Sequence, residues 1–423
     1  MIRFLLKGLL RDRSRSFFPI LIVSAGVALT VILYSYFNGV EIDAIRNYAV
    51  FATGHVKAMS RAYAEQAELI PNDLALLGVD SLMQDLETNY PQVRWTGRIR
   101  FGGLLDIPDE NNETRIQGPV TGLAVDLFSV DTPEIDFLGL HRSLVQGKLP
   151  QSPGEVLIAE EYAGQLGLSA GSRVTLVSAT MNGSLALENF LIAGTVRFGM
   201  AAMDRSAMIA DIGDIRLALD MEDAAGEILG FFSDEIYKDE DAMAIAAEFN
   251  QAAPTDDEFA PVMYALSEQS DLRGMLQQTD SVIGMINGVF IAVMAMVLWN
   301  AGLMGTIRRY GEIGVRLAMG ENKGSVYRSL ILEALMIGFV GSLLGTAIGL
   351  GFAYLLQSKG IDAAGMMKSS NVMMSNVLRA RITAGSFFVG FLPGLLAILL
   401  GTGLSGLSVY KRQTSQLFKE LEV

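Results

Sequence analysis

The chain has 423 residues, 51% of them hydrophobic, and a mean hydropathy of +0.36. Soluble domains rarely reach that value, so part of the chain is expected to lie in lipid. Its net charge of −14 comes from an acidic block, residues 41–280, which disfavours nucleic acid as a partner there, and the absence of cysteine excludes disulfides and zinc–thiolate sites.

Residues 1–15 carry Arg3, Lys7, Arg11, Arg13 and Arg15 against Asp12. Ser16–Val40 follows without a charged residue. It exceeds the roughly 20 residues needed to cross about 30 Å of hydrocarbon. It is too long for a signal-peptide core and no small-x-small site follows it cleanly, so it reads as an uncleaved first membrane helix. Residues 41–280 hold 15 Lys and Arg against 39 Asp and Glu. This block is expected to be one large mixed α+β extracytoplasmic domain of two subdomains, the inner one about 130–215. Helical spacing marks Asp73–Thr88 and Glu240–Gln251. Arg94–Ile107 and Arg115–Asp126 read as strands. Gly154–Ser178 reads strand, helix, turn, strand, and Leu187–Leu219 reads strand, turn, strand, helix.

Three further runs are long enough to span a bilayer: Ser281–Ile307, Ser329–Gln357 and Ile382–Tyr410. Only Glu333 is charged among them. The fold class expected is therefore membrane α-helical, with four transmembrane helices and the α+β domain inserted between helices 1 and 2. Between the second and third runs, residues 308–328 carry Arg308, Arg309, Arg316, Lys323 and Arg328 against Glu312 and Glu321. The tail, residues 411–423, is also rich in cations. The positive-inside rule puts both segments and the N-terminus in the cytoplasm. The loop 358–381 is extracytoplasmic by parity, although its own charge mildly opposes the rule.

Signs of chemistry are sparse. No G-x-x-x-x-G-K-[ST] phosphate loop occurs, so no ATP site of the chain's own is expected. His55 and His141 read as structural or surface residues. The acidic pairs read as solvated faces, with a carboxylate dyad or a calcium site the weaker alternative; no EF-hand spacing occurs and no metal is expected. Met203, Met366, Met367, Met373 and Met374 read as gap-fillers, or else as part of a site for a flexible hydrophobe. Glu333 reads as a structural intramembrane acid paired with a cation of residues 308–328, with a proton relay the weaker alternative. Gly341, Gly345, Gly349 and Gly351, with Gly401, Gly403 and Gly406, predict closely packed helices.

The segment "RRYGEIGVRLAMGENKGS", Arg308–Ser325, alternates charge, small residues and an apolar side. With "VYRSLILEALMIGFVGSLLGTAIG" after it, it resembles the signature of FtsX/MacB-type ABC permeases: a basic pair, E-I-G, then a helix with L-x-E-A and G-x-x-x-G. "NGVEIDAIRNYAVFATGHVKAM", "GEVLIAEEYAGQLGLSAGSRVTLVS" and "FLIAGTVRFGMAAMDRSAMI" are most similar to lipoprotein-releasing permeases of the LolC/LolE kind. The loop 358–381 and the C-terminus depart from the Lol pattern. The resemblance implies a bacterial inner-membrane subunit with both termini cytoplasmic. It implies a second permease copy or paralogue, and two copies of a separate ATPase that binds ATP and Mg; no cofactor belongs to this chain. It implies ATPase coupling through Arg309, Glu312, Ile313, Gly314, Arg316 and Gly320. By position it also implies an acyl-chain cavity between the first helix of one copy and the second helix of its partner copy, lined by Val31, Tyr34, Phe37, Val282, Met285, Ile286 and Phe290. The cargo would be lipoprotein drawn from the membrane and passed to a periplasmic carrier. The alternatives are a MacB-like exporter with an adaptor, a lipid-handling permease, and FtsX-like signalling to a cell-wall hydrolase.

Overall fold

The structure, a computed structural model, describes residues 13–108, 113–234, 236–252, 257–269, 272–307, 310–362 and 377–411. The chain divides into two compact units. A membrane unit combines Met1–Ile42, Gln278–Ile361 and Leu378–Val423; an outer unit combines Asp43–Gln277 and Asp362–Val377.

The first helix, α1, runs from Arg13 to Tyr48 and continues into a π turn, Ala49–Thr53. It is longer than the predicted 16–40. Residues 40–53 contain neither Pro nor Gly, so the polar residues Glu41, Asp43 and Arg46 end the apolar stretch without ending the helix. Gly54 stops it at φ +61, a backbone that favours glycine.

In the outer unit, ten strands among the described residues form one sheet: β1 (Val56–Ser60), β2 (Val93–Pro108), β3 (Thr114–Val125), β4 (Leu144–Gly147), β5 (Glu155–Ala159), β6 (Arg173–Ala179), β7 (Leu185–Val196), β8 (Ala207–Asp211), β9 (Glu227–Phe232) and β10 (Pro261–Ala265). The long β2 joins two layers of organisation. Its first half, Val93–Arg98, pairs with β9 in a base sheet ordered β10-β1-β9-β2. The helices α2 (Val79–Asn89) and α5 (Asp239–Ala252) cover this base with Leu86, Ile245 and Ala246. Between them in sequence come α3 (Glu160–Leu166) and α4 (Ile212–Ala218). From Ile99 onward β2 pairs with β3 and β6. The pairings β2-β3-β8-β5-β7-β6-β2 close into a ring of six strands. Phe101, Leu105, Val120, Ile158, Leu176, Phe190 and Ile192 belong to its core. Closure leaves no open edge among these strands.

Most strands expected from sequence are present. Two expectations fail. The inner part of the domain begins near Ile99 instead of about 130, because β2 belongs to both parts and no linker marks the boundary. Asp73–Thr88 is not one helix: residues 72–74 form a 3₁₀ turn, Leu76–Leu77 a short strand, and the helix starts at Val79 after the left-handed Gly78.

The membrane unit adds α6 (Leu272–Ile307), α7 (Tyr310–Ala318), α8 (Lys323–Lys359) and α9 (Phe391–Lys411). Four helical spans, in α1, α6, α8 and the Ala384–Leu407 stretch, are long and apolar enough to cross a membrane. The fourth was expected from Ile382. Residues 384–387 form a 3₁₀ turn instead, and α9 begins after Gly390 with Pro393 in its first turn, where a missing N–H costs little. The glycine stripe packs as expected: a Cβ on Gly345 would lie 2.6 Å from Ser24 O, and one on Gly349 would lie 2.8 Å from Val31 Cβ. Ser24 Oγ donates to Gly341 O at 3.0 Å across the same contact. Gly351 takes no part, since nothing stands within 4 Å of a Cβ there.

Candidate functional site

The segment between α6 and α8 forms a short lever. Residues 310–318 alternate small and amphipathic residues with helical spacing, and no Pro interrupts them. Tyr310, Ile313 and Leu317 lie on one side and pack on Val326 and Leu330 of α8. The opposite side is exposed: Glu312, Val315 at 44% and Met319 at 76%. Their spacing of three and four residues makes one stripe.

The lever ends in a fixed corner. Gly320 has φ +90. Its N–H donates to Leu317 O at 3.1 Å, and Glu321 N–H donates to Arg316 O at 3.1 Å. That pair of bonds is a Schellman cap. Arg316 also grips the Glu321 carboxylate with a fork, Nε to Oε2 and Nη2 to Oε1, both 2.7 Å. Arg316 beside Glu321 holds that carboxyl below its ordinary pKa. Ser325 Oγ donates to Glu321 Oε1 at 3.2 Å. Asn322 then caps α8, its Oδ1 accepting from Gly324 N–H at 3.0 Å. The corner is therefore specified by hydrogen bonds on both sides of the turn.

The residues named from sequence for coupling thus separate. Glu312 is exposed on the outer side, Arg316 and Gly320 build the corner, and Ile313 and Gly314 are buried. Ile313 faces the chain's own α8, so it positions the lever and offers no outward contact. Arg309 lies outside the described residues. Met319 was missed; its spacing from Glu312 and Val315 was the available signal.

The residues named for an acyl cavity lie on two helices, α1 and α6. Val31 is fully buried in the bundle core with Val27, Met294 and Leu298. Gly349 and Gly390 let their segments close on it. Tyr34 and Phe37 are half-buried, and the Tyr34 hydroxyl lies against Gly385. Val282, Met285 and Phe290 are exposed along α6, with Ile286 half-buried beside them. Glu333 is half-buried in a narrow cleft with Pro19, Gly302, Gly305 and Thr402. His55 is a core residue, its Nδ1 accepting from Phe232 N–H at 3.0 Å, whereas His141 is exposed. Met203 packs partly buried against the ring core. Met366, Met367, Met373 and Met374 lie outside the described residues. No cluster of three or more metal-ligating side chains occurs among the described residues.

Four membrane-length helices, a capped short helix between the second and third, and an α+β domain inserted after the first define a membrane-helical protein with an inserted α+β domain. Residues 284–414 match the FtsX-like permease C-terminal family. Among curated proteins, the macrolide export ATP-binding/permease protein MacB of Bordetella avium is 27% identical over 119 residues, 28% of this chain and 18% of that protein. MacB of Hyphomonas neptunium is 29% identical over 83 residues, 20% of this chain and 13% of that protein. The uncharacterised ABC transporter permease YknZ of Bacillus subtilis is 30% identical over 78 residues, 18% of this chain and 20% of that protein. The matched stretches thus span a fifth or less of each of these relatives. The crystal structure of the periplasmic region of MacB from Actinobacillus actinomycetemcomitans aligns with a TM-score of 0.35 and 12% identity, over 53% of this chain and 94% of that one. Residues 284–414 are thus similar to the FtsX-like permease C-terminal domain.

Proposed function

We propose that the chain converts ATP hydrolysis by a separate subunit into movement of its outer domain, and that the load is a lipid-anchored protein in the outer leaflet of a bacterial inner membrane. The observation that carries the coupling is the lever. α7 is fastened to α8 by an apolar face and a doubly capped corner, so a push on its exposed stripe of Glu312, Val315 and Met319 moves α8 as well. A loosely tethered loop would absorb that push.

The charge distribution supports the orientation. Cations cluster at the N-terminus and between α6 and α8, and acids in the block 41–280, so the lever faces the cytoplasm and the inserted domain faces outward. The cargo reading rests on α6. Its outer half exposes Val282, Met285, Val289 and Phe290 along with Gly284 and Gly288, an apolar side with room for an acyl chain. The names of the MacB relatives favour a second reading, export of a small hydrophobic compound through the same mechanical cycle.

The test is purification from native membranes into nanodiscs with whatever ATPase remains bound, followed by mass spectrometry of the retained material. Triacylated protein, enriched over an α6 variant such as Met285→Glu, is the expected result. Consistent absence of acylated protein, with turnover stimulated by small amphiphiles, overturns the cargo reading and favours the second.

A further inference from the structure

An α-helix ends with carbonyls that have no partner inside it. α1 ends in the π turn Ala49–Thr53, inside the outer unit, where Ala49, Val50 and Thr53 are buried. Their carbonyls therefore need protein partners. Ala49 O accepts from Gly54 N–H at 2.8 Å, and Tyr48 O accepts from Thr53 Oγ1 at 3.1 Å. Side chains from three separate segments take others. Arg98 Nη1, on β2, donates to Val50 O at 2.5 Å. Lys57 Nζ, on β1, donates to Ala52 O at 3.1 Å. Gln269 Nε2, just before α6, donates to Thr53 O at 3.1 Å.

Both cations are buried, Arg98 at 1% exposure and Lys57 at 5%. Each has its own buried acid. Arg98 forks Glu134 through Nε and Nη2 at 2.7 Å each, and Thr96 Oγ1 donates to the same carboxylate at 2.8 Å. Lys57 Nζ donates to Glu227 Oε1 at 3.1 Å, with Arg100 at 3.5 Å from the same oxygen. Burial pushes the Lys57 amine below its ordinary pKa, while Glu227 opposes that shift.

Stability alone is a poor reason for this arrangement. Burying charges is costly, and an apolar pair of the same size is often as stable or more so. What an apolar pair lacks is direction. A guanidinium held by a carboxylate fork fixes one carbonyl at one point, and cations at a helix C-terminus also complement its dipole. The three bonds join the helix end to two strands of the base sheet and to the segment that feeds α6, with no Gly–Pro linker between.

We propose that Arg98, Lys57 and Gln269 form a clasp on the carbonyl end of α1, so that movement of α1 is carried into the base sheet and into the entry of α6 instead of being lost at a hinge. These are positioning residues. The inference rests on the mechanical reading of the chain, and its test needs no ATPase.

The full-length chain is placed in nanodiscs of phosphatidylethanolamine and phosphatidylglycerol. Its sequence has no cysteine, so spin labels at Arg46→Cys and Leu217→Cys are unique. Their distance distribution is compared with that of the same pair in an Arg98→Met/Glu134→Met double variant, which removes the grip without stranding a charge. The clasp predicts a thermal midpoint within a few degrees of the unaltered protein and a distribution about twofold broader. A folded double variant with an equally narrow distribution overturns it. Should the double variant fail to fold, hydrogen exchange on the unaltered chain decides. The clasp requires amides 50–54 to exchange as slowly as those of the first half of β2, and exchange about 100-fold faster overturns it. Failure of any ATPase to bind the chain would remove the proposed function and leave these measurements intact.

Discussion

α1 is held in two different ways along its length. Between Val23 and Val31 it packs against glycines of α8 at near backbone contact, with one hydrogen bond from Ser24. From Val50 to Thr53 it is held by buried ions and amides. The difference follows from the solvent. In lipid no hydrophobic gain drives one helix onto another, so close approach and dispersion must do the work. In the outer domain an apolar core is available, and the helix carbonyls inside it require donors. The lipid side can therefore fail by gaining volume, and the outer side by losing a donor.

The largest effect is expected on the lipid side. Gly345→Leu places a side chain against Ser24 O, which is backbone and cannot rotate away. The loss should exceed the about 1–3 kcal/mol of ordinary overpacking. It is checked by the yield of monodisperse protein in detergent and by its unfolding midpoint, with Gly351→Leu, where nothing lies within 4 Å of a Cβ, as the neutral control.

A smaller, pH-dependent effect is expected on the outer side. His55 stands at 4% exposure beside the clasp, and burial lowers its pKa from 6.5 to about 4. Between those two values the unfolded chain binds a proton that the folded chain refuses. The contribution is present in full above pH 6.5 and is lost as the pH falls towards 4, by at most about 3 kcal/mol. His55→Asn keeps an acceptor for Phe232 N–H and removes the titration. Its stability should fall less steeply than that of the unaltered chain between pH 6.5 and 4, measured by thermal melts across that interval. Equal slopes would show that His55 is not the group responsible.

The four membrane helices and the strands with clear alternation, β3 and β7, were legible in the sequence. β1 and β9 were not, although both anchor the clasp. They are buried along their whole length and carry no period-2 pattern, so they resemble any short apolar run. The ring of strands was hidden for a different reason: its closure depends on β6 reaching β2, a pairing between segments far apart in the chain. The lever was visible as an amphipathic segment, but which side faces inward was not. Ile313 and Val315 are both apolar, and only the packing of Val326 and Leu330 assigns the first to the interior. Arg98 and Lys57 gave no signal, since a lone cation in a strand ordinarily points to solvent.

The central claim is that the outer side of α7 receives the ATPase. Single cysteines at Ile313, Val315 and Met319 can be compared in an otherwise cysteine-free chain. They are treated with a short thiol–amine crosslinker in native membranes, and the adducts are identified by peptide mass spectrometry. The account predicts crosslinks from Val315→Cys and Met319→Cys to a protein that hydrolyses ATP, with little from Ile313→Cys. Crosslinks from Ile313→Cys alone, or no ATP-hydrolysing protein at any of the three, would contradict it.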